Sequence, residues 1–136
     1  MAVVEELLRS ESNGNISFGN HQLAEKAKLE GFEHSGDSYK VKTFQAMTKL
    51  EKNGLFLYES VPGTSVFDFA ETVDGTTFTV AGDKDAQITV GLEEESEYEV
   101  FINDTSVGVM KTNLAGKLSV SVELEANGET KVKLVK

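Results

Sequence analysis

Short runs of alternating apolar and polar residues recur along most of the chain. In KLSVSVEL, residues 117–124, leucine and valine alternate with serine and glutamate, so the apolar side chains all point to one side of an extended strand. Turn-forming pairs such as Asn53-Gly54 separate the runs. This pattern predicts an all-β, antiparallel protein in which most strands have one core face and one solvent face.

Seven runs in the second half of the chain predict a small Ig-like or fibronectin-like β-sandwich over residues 64–136. The predicted strands are Val66–Glu71, Thr76–Ala81, Gln87–Leu92, Tyr98–Ile102, Ser106–Lys111, Lys117–Leu124 and Thr130–Val135. Their inward-facing residues predict a core of Phe78, Val80, Ile88, Val90, Tyr98, Val100, Ile102, Val107, Val109, Val120, Val122, Val132 and Leu134.

Upstream, residues 15–63 predict a β-meander that either forms its own unit or is continuous with the sandwich. Asn53-Gly54 is suited to the type I′ turn of a two-residue hairpin. The segment at 21–32 fits both a strand and a helix, and we favour a strand.

The first fourteen residues predict a short helix, over residues 2–10, and a linker. Four aliphatic residues form one narrow stripe on this helix: Val3, Val4, Leu7 and Leu8. Because so short a helix is marginal alone, we expect the stripe to dock. Its own domain and a neighbouring copy are both open as the surface it docks on, and we favour the copy.

The strand LFLY, residues 55–58, is apolar on both faces. Strict alternation places Leu55 and Leu57 on one face, and Phe56 and Tyr58 on the other. Such a strand is either covered on both sides or half exposed as an interface, and we favour the covered arrangement.

The only proline follows this strand, in VPGT. Pro62 followed by Gly63 fits a type II turn, in which the glycine has positive φ. Gly63→Val should then cost about 1–3 kcal/mol, because a β-branched residue resists positive φ.

The chain of 136 residues has no cysteine and a net charge of −10. A disulfide framework, a thiolate nucleophile and a cysteine-based zinc site are therefore excluded. Residues 61–136 contain six basic and fourteen acidic residues, and so carry −8 of the total charge.

With a single arginine, Arg9, the chain lacks the usual reader of phosphate groups, so we expect neither nucleic acid nor an anionic membrane as a partner. The acidic start and the lack of a long apolar run predict a cytoplasmic protein.

Candidate catalytic chemistry is sparse. His21 and His34 lie beside turn-forming residues, which predicts solvated loop histidines, and no G-x-S-x-G nucleophile elbow occurs. Asp83 and Asp85 form only half of a calcium-loop pattern. We therefore predict no catalytic residues, no metal site and no cofactor.

Two long segments, ISFGNHQLAEKAKLEGFEHSGDSYKVKTFQAMTKLEKNGLFLYESVPGT and YEVFINDTSVGVMKTNLAGKLSVSVEL, carry a family resemblance. They resemble a family of small acidic proteins from clostridial-type bacteria whose members often bear the label "endosialidase". The resemblance covers residues 15–135. A sialidase site holds its substrate carboxylate with several arginines, whereas this chain has one, so the resemblance implies at most an accessory segment of a sialidase-type system.

These observations favour a non-enzymatic protein that self-associates as a homo-oligomer or scaffold. The predicted interface comprises the amino-terminal stripe and residues 55–58. The alternative is a carbohydrate-binding module with an aromatic platform drawn from Tyr39, Tyr58, Phe67 and Phe69. A carboxylate-based hydrolase ranks last.

Overall fold

A computed structural model describes residues 2–136 as two antiparallel β-sheets with one short helix. The strands are β1 (Leu8–Ser10), β2 (Ile16–Phe18), β3 (Ala27–His34), β4 (Asp37–Phe44), β5 (Met47–Lys52), β6 (Leu55–Val61), β7 (Ser65–Thr72), β8 (Gly75–Ala81), β9 (Ala86–Gly91), β10 (Glu97–Ile102), β11 (Thr105–Lys111), β12 (Lys117–Val122) and β13 (Glu129–Val135). The helix, α1, spans Leu124–Asn127. The all-β prediction is confirmed, and all seven strands predicted after residue 64 are present.

One sheet has seven strands in the order β1-β2-β7-β8-β13-β10-β11, and the other has six in the order β12-β9-β6-β5-β4-β3. Each sheet contains strands from both sides of residue 63, and β6 pairs directly with β9. The meander strands β3 to β6 therefore form most of the six-stranded sheet, with β9 and β12 completing it.

The core lies between the sheets and is centred on four aromatic rings. Phe18, Tyr58, Phe69 and Phe78 are at most 3% exposed and contact one another, mostly edge to face, at centroid distances of 5.2–6.4 Å. Three of these rings come from the seven-stranded sheet, whereas Tyr58 comes from the six-stranded one. Tyr58 therefore joins the two layers.

The predicted amino-terminal helix is wrong. Residues 2–7 are turns and irregular chain, and β1 pairs with β2. Leu7 adopts a positive φ of 71°, which a helix does not contain. Val4 and Leu8 are nevertheless buried, because the turn between them also brings these two side chains onto the core. Since both are at most 2% exposed within their own chain, they are not available to a neighbouring copy.

Strict alternation in LFLY is also wrong. Leu50 pairs with Tyr58, but the next residue, Glu51, pairs with Phe56, so a bulge falls at Leu57. The bulge lets two consecutive residues face inward: Leu57 is 5% and Tyr58 0% exposed. The covered arrangement therefore holds for this pair, whereas Leu55 is 73% exposed and Phe56 half-buried.

The two predicted turns have different outcomes. Asn53 and Gly54 have φ of 52° and 80°, as the predicted type I′ hairpin turn requires. The type II turn at Pro62-Gly63 is wrong, because Gly63 does not have positive φ. Glycine is required there for another reason. A Cβ on Gly63 would lie 1.9 Å from the main-chain oxygen of Phe44.

Two further predictions concern the segment at 21–32 and the core residues of β11. Within the ambiguous segment 21–32, residues 27 onward form β3, so the favoured strand is confirmed there. Val107 and Val109 are wrongly predicted as core, because they are 60% and 62% exposed. Their strand, β11, is the last of its sheet, and all seven of its residues are exposed. Among residues 2–136 we find no helix of the length and hydropathy needed to cross a membrane.

Candidate functional site

The exposed apolar side chains are concentrated on and just after β11. In residues 2–136, seven large hydrophobic residues are exposed, and four of them fall between residues 107 and 114: Val107, Val109, Met110 and Leu114. All seven residues of β11 are exposed. Natural proteins usually protect such an edge with charges or a proline, because its unpaired main-chain groups can bind another strand. β11 contains no proline, and its one charged residue is Lys111 at its end.

A bulge interrupts the ladder between β11 and β10. Val100 pairs with Gly108 and Phe101 with Ser106, so Val107 is the extra residue. On the outer face, Ser106 donates a hydrogen bond to Glu99 (2.7 Å). Bulges themselves discourage edge pairing. This surface therefore differs from an ordinary sheet edge because its apolar side chains are exposed.

A second candidate site is a polar cavity at one end of the sandwich. Its volume is about 380 Å³, and we call it the His21 cavity. The residues that line it are His21, Gln22, Gln45, Pro62, Gly63, Asp83 and Lys84. The predicted solvated histidine is wrong for His21, which is only 4% exposed. His34 is half-buried and contacts Ser10 Oγ (2.8 Å) and the Gly14 carbonyl (2.9 Å).

A buried network of hydroxyl groups supports this end of the fold. Tyr58 and Ser60 each contact Thr64 Oγ1 at 2.7 Å. The Thr48 hydroxyl donates to the Thr64 carbonyl (2.7 Å) and also contacts Thr43 Oγ1 (2.8 Å). The network joins β4, β5 and β6 to the start of β7, where Ser65 lies beside the His21 ring.

The ring of His21 is fixed on one side only. Nδ1 lies 2.8 Å from Ser65 Oγ, which also accepts a bond from the His21 main-chain N–H (3.3 Å). Nε2 faces Asp83 at 3.7 Å, too far for a direct hydrogen bond, and has no partner within residues 2–136. Burial lowers the pKa of His21, although Asp83 acts in the opposite direction, so the ring is neutral near pH 7.

The arrangement of Ser65, His21 and Asp83 is not a catalytic triad. A nucleophilic serine must be open to substrate, whereas Ser65 is completely buried. No group of three or more metal-ligating side chains is assembled within residues 2–136. Asp85 instead accepts a hydrogen bond from the main-chain N–H of Glu125 (3.0 Å) at the start of α1.

A larger cavity of about 640 Å³ lies among the hairpin ends near Leu55 and Val73. Four of its five charged side chains form ion pairs, and the fifth is Asp74. Lys52 contacts Glu71 (3.0 Å) and Asp37 (3.7 Å), and Lys136 pairs with Glu93. Within residues 2–136, the buried side-chain polar atom without a partner is in the His21 cavity and not in this one.

The structure does not bring the predicted interface residues into one surface. Val4, Leu8, Leu57 and Tyr58 are core residues. Leu55 and Phe56 line the larger cavity, while Val3 borders a shallow depression near Glu5 and Arg9.

The predicted aromatic platform is also wrong. Tyr39, Tyr58 and Phe69 are at most 6% exposed, so their faces cannot bind a sugar. Phe67 is half-buried, and the guanidinium of Arg9 lies 6.0 Å above its ring.

Sequence reasoning missed both candidate sites. The His21 cavity combines residues far apart in the chain and has no motif. The sequence SVGVMK did contain a signal for β11, since it lacks acidic residues in a chain that has 23 of them. Its position at the edge, however, depends on strand order, which the sequence does not show. No family model, curated protein or solved structure matches the chain.

One prediction concerns the acid stability of the fold. The folded-state pKa of His21 lies below its ordinary value of 6.5, so below that pH the unfolded chain binds this proton more readily. This contribution to stability is present above pH 6.5 and is lost as the pH falls. Urea unfolding between pH 7.5 and 5 should therefore show a shallower pH dependence in His21→Gln than in the unmodified chain. Equal slopes would contradict the buried, neutral ring.

Proposed function

We propose that this chain is a non-enzymatic β-sandwich module that self-associates through β11. The observation that carries the proposal is the exposure of Val107, Val109 and Met110 on a terminal strand that has a neighbouring strand, β10, on one side only. In this arrangement, β11 of one copy adds a strand to the seven-stranded sheet of another. Main-chain hydrogen bonds supply affinity, and burial of the valines favours this partner over water.

The sequence of β11 suits pairing with itself. A symmetric dimer places the same surface on both copies, and V-G-V reads the same in both directions. Antiparallel pairing centred on Gly108 places Val107 of one copy opposite Val109 of the other. Cross-strand pairs of β-branched residues stabilise such a sheet.

Charge also favours this pairing. The only charged residue of β11 is Lys111, and in the same register it lies opposite Thr105 of the other copy. It is then one residue away from the other copy's Asp104, whose side chain is 74% exposed and pairs with Lys131 of its own chain at 3.3 Å. The symmetry makes this opposite-charge contact twice, which offsets part of the repulsion between two acidic chains.

Val109→Lys tests the proposal. Two copies then bring lysines to apolar positions at the pairing surface, so association should weaken at least about tenfold. Sedimentation equilibrium of the unmodified chain should show the mass rising from 14.8 kDa towards twice that value with concentration. The Val109→Lys chain should remain a monomer over the same range.

Ser121→Lys is the matched control. Ser121 is exposed on β12, the terminal strand of the other sheet, so a lysine there should leave association unchanged. Because both sites are exposed, circular dichroism and melting temperature should be retained in both variants. The proposal is wrong if the unmodified chain stays at monomer mass, or if only Ser121→Lys dissociates it.

A further inference from the structure

The His21 cavity contains a buried polar atom whose role the fold does not explain. The His21 side chain is 2% exposed, and Nε2 has no hydrogen-bond partner within residues 2–136. A buried polar group without a partner destabilises a protein, because it has lost its hydrogen bonds to water and gained none in return. The position of Nε2 beside a cavity is therefore consistent with a ligand that forms the missing hydrogen bond.

The Ser65 contact determines where the ring proton lies. Within residues 2–136, Ser65 Oγ has two partners, the His21 main-chain N–H and Nδ1 at 2.8 Å, and only Nδ1 can accept the proton of this buried hydroxyl. Nδ1 is then the acceptor, and the proton of the neutral ring is on Nε2. The cavity thus contains an N–H donor in Nε2 and an acceptor in the Asp83 carboxylate, which is 57% exposed.

The separation of these two atoms fits one bridging hydroxyl group. At 3.7 Å, Nε2 and Asp83 Oδ2 are too far apart to bond directly. Because the Asp83 side chain is exposed, a small rotation away from Nε2 lets a hydroxyl oxygen about 2.8 Å from each atom accept from Nε2–H while donating its own proton to the carboxylate. We propose that the His21 cavity binds a neutral polyhydroxylated ligand, a sugar ring, through one hydroxyl held between His21 and Asp83.

The other cavity residues support this class of ligand. Gln22 and Gln45 each provide an amide that can both donate and accept, as neighbouring hydroxyls require. Pro62 adds an apolar surface for the C–H face of a sugar. Gln22 and Lys84 are exposed, so their side chains can move to admit the ring. A volume of about 380 Å³ lies within the range of small-molecule sites.

Two other ligand classes fit less well. An anion would approach the Asp83 carboxylate of a chain with a net charge of −10, and only Lys84 among the cavity residues is cationic. A metal ion would need several ligating side chains, and no group of three or more is assembled within residues 2–136.

The site is also held in position before a ligand arrives. Ser65 fixes the plane of the His21 ring, and the main-chain N–H of the preceding residue, Asn20, donates to Thr43 Oγ1 (2.9 Å). Thr43 belongs to the buried hydroxyl network, which continues to Thr48 and Thr64. A fixed donor reduces the entropy lost on binding.

Titration of the full chain with methyl glucoside, methyl galactoside and N-acetylglucosamine tests the proposal. At least one of these sugars should shift the His21 ring signals in NMR spectra saturably, with a Kd of about 1–10 mM. Asp83→Ala should weaken that binding at least about tenfold, because it removes the acceptor of the bridging hydroxyl. Asp74→Ala, at a hairpin end outside this cavity, is the matched control and should bind as the unmodified chain does.

Glucuronate distinguishes a sugar site from an anion site. It differs from glucose by one carboxylate and should bind more weakly than glucose, because Asp83 repels it. Tighter binding of glucuronate would overturn the proposal. So would the absence of any saturable His21 shift with the three neutral sugars, or equal binding by Asp83→Ala and Asp74→Ala. Because Asp83 is exposed, Asp83→Ala should fold, and its melting temperature verifies this.

Discussion

Replacing Tyr58 with alanine should lower the free energy of unfolding by about 3–5 kcal/mol, the largest loss that we expect from a single substitution. Tyr58 is completely buried and contacts Phe18, Phe69 and Phe78 of the opposite sheet. Alanine leaves a cavity where the two layers meet, and these three rings lose their contacts with the tyrosine. Urea unfolding at neutral pH measures the change.

Two further substitutions separate the causes of this loss. Tyr58→Phe keeps the ring but removes a hydroxyl that contacts Thr64 Oγ1 at 2.7 Å, and should cost about 1–2 kcal/mol. Phe56→Ala, in the same strand, should cost only about 1 kcal/mol, because Phe56 is half-exposed beneath the ammonium of Lys117. A larger loss from Phe56→Ala than from Tyr58→Ala would contradict the bulge at Leu57, which assigns Tyr58 to the core.

Gly63→Ala should lower the free energy of unfolding by about 2–4 kcal/mol. The added Cβ would lie 1.9 Å from the Phe44 carbonyl oxygen, which is main chain and cannot rotate away. Gly63 N–H also donates to the Gln45 carbonyl (2.9 Å), so the two segments cannot separate without losing this bond. Chemical unfolding of the variant measures the loss.

Gly54→Ala is the matched control for Gly63→Ala. Gly54 has a φ of 80°, but nothing lies within 4 Å of an added Cβ. Its replacement should cost only about 1 kcal/mol, for the backbone conformation alone. Equal losses at the two positions would remove the close approach to Phe44 from the explanation.

Local patterns predicted the strands but not the way they are combined. Alternation located all seven strands after residue 64, and Asn53-Gly54 identified a hairpin, because side-chain period and turn conformation are local properties. The bulge at Leu57 is different, since it depends on how β5 and β6 pair. Val4 and Leu8 show the same limit: a four-residue spacing suits a helix, yet the segment forms a turn and then pairs as β1.

The candidate sites depend on long-range arrangement, which is why the sequence did not predict them. His21 lies between turn-forming residues, as a loop histidine does, but Ser65 and Asp83 enclose it from 44 and 62 positions further along the chain. Val107 and Val109 alternate as core residues do, and only the strand order places them at an edge. Which side chains are buried, and which polar groups lie together, therefore depends on which strands become neighbours.

Disulfide trapping tests pairing through β11 most directly. The chain has no cysteine, so single replacements introduce one thiol at a chosen position. In the proposed register, Val107 of one copy faces Val109 of the other, at the Cα separation of about 4.5–5.5 Å that a disulfide can span. A mixture of Val107→Cys and Val109→Cys chains should therefore oxidise to a covalent dimer faster than either variant alone, and much faster than Ser121→Cys. Equal rates in all of these samples would contradict the account.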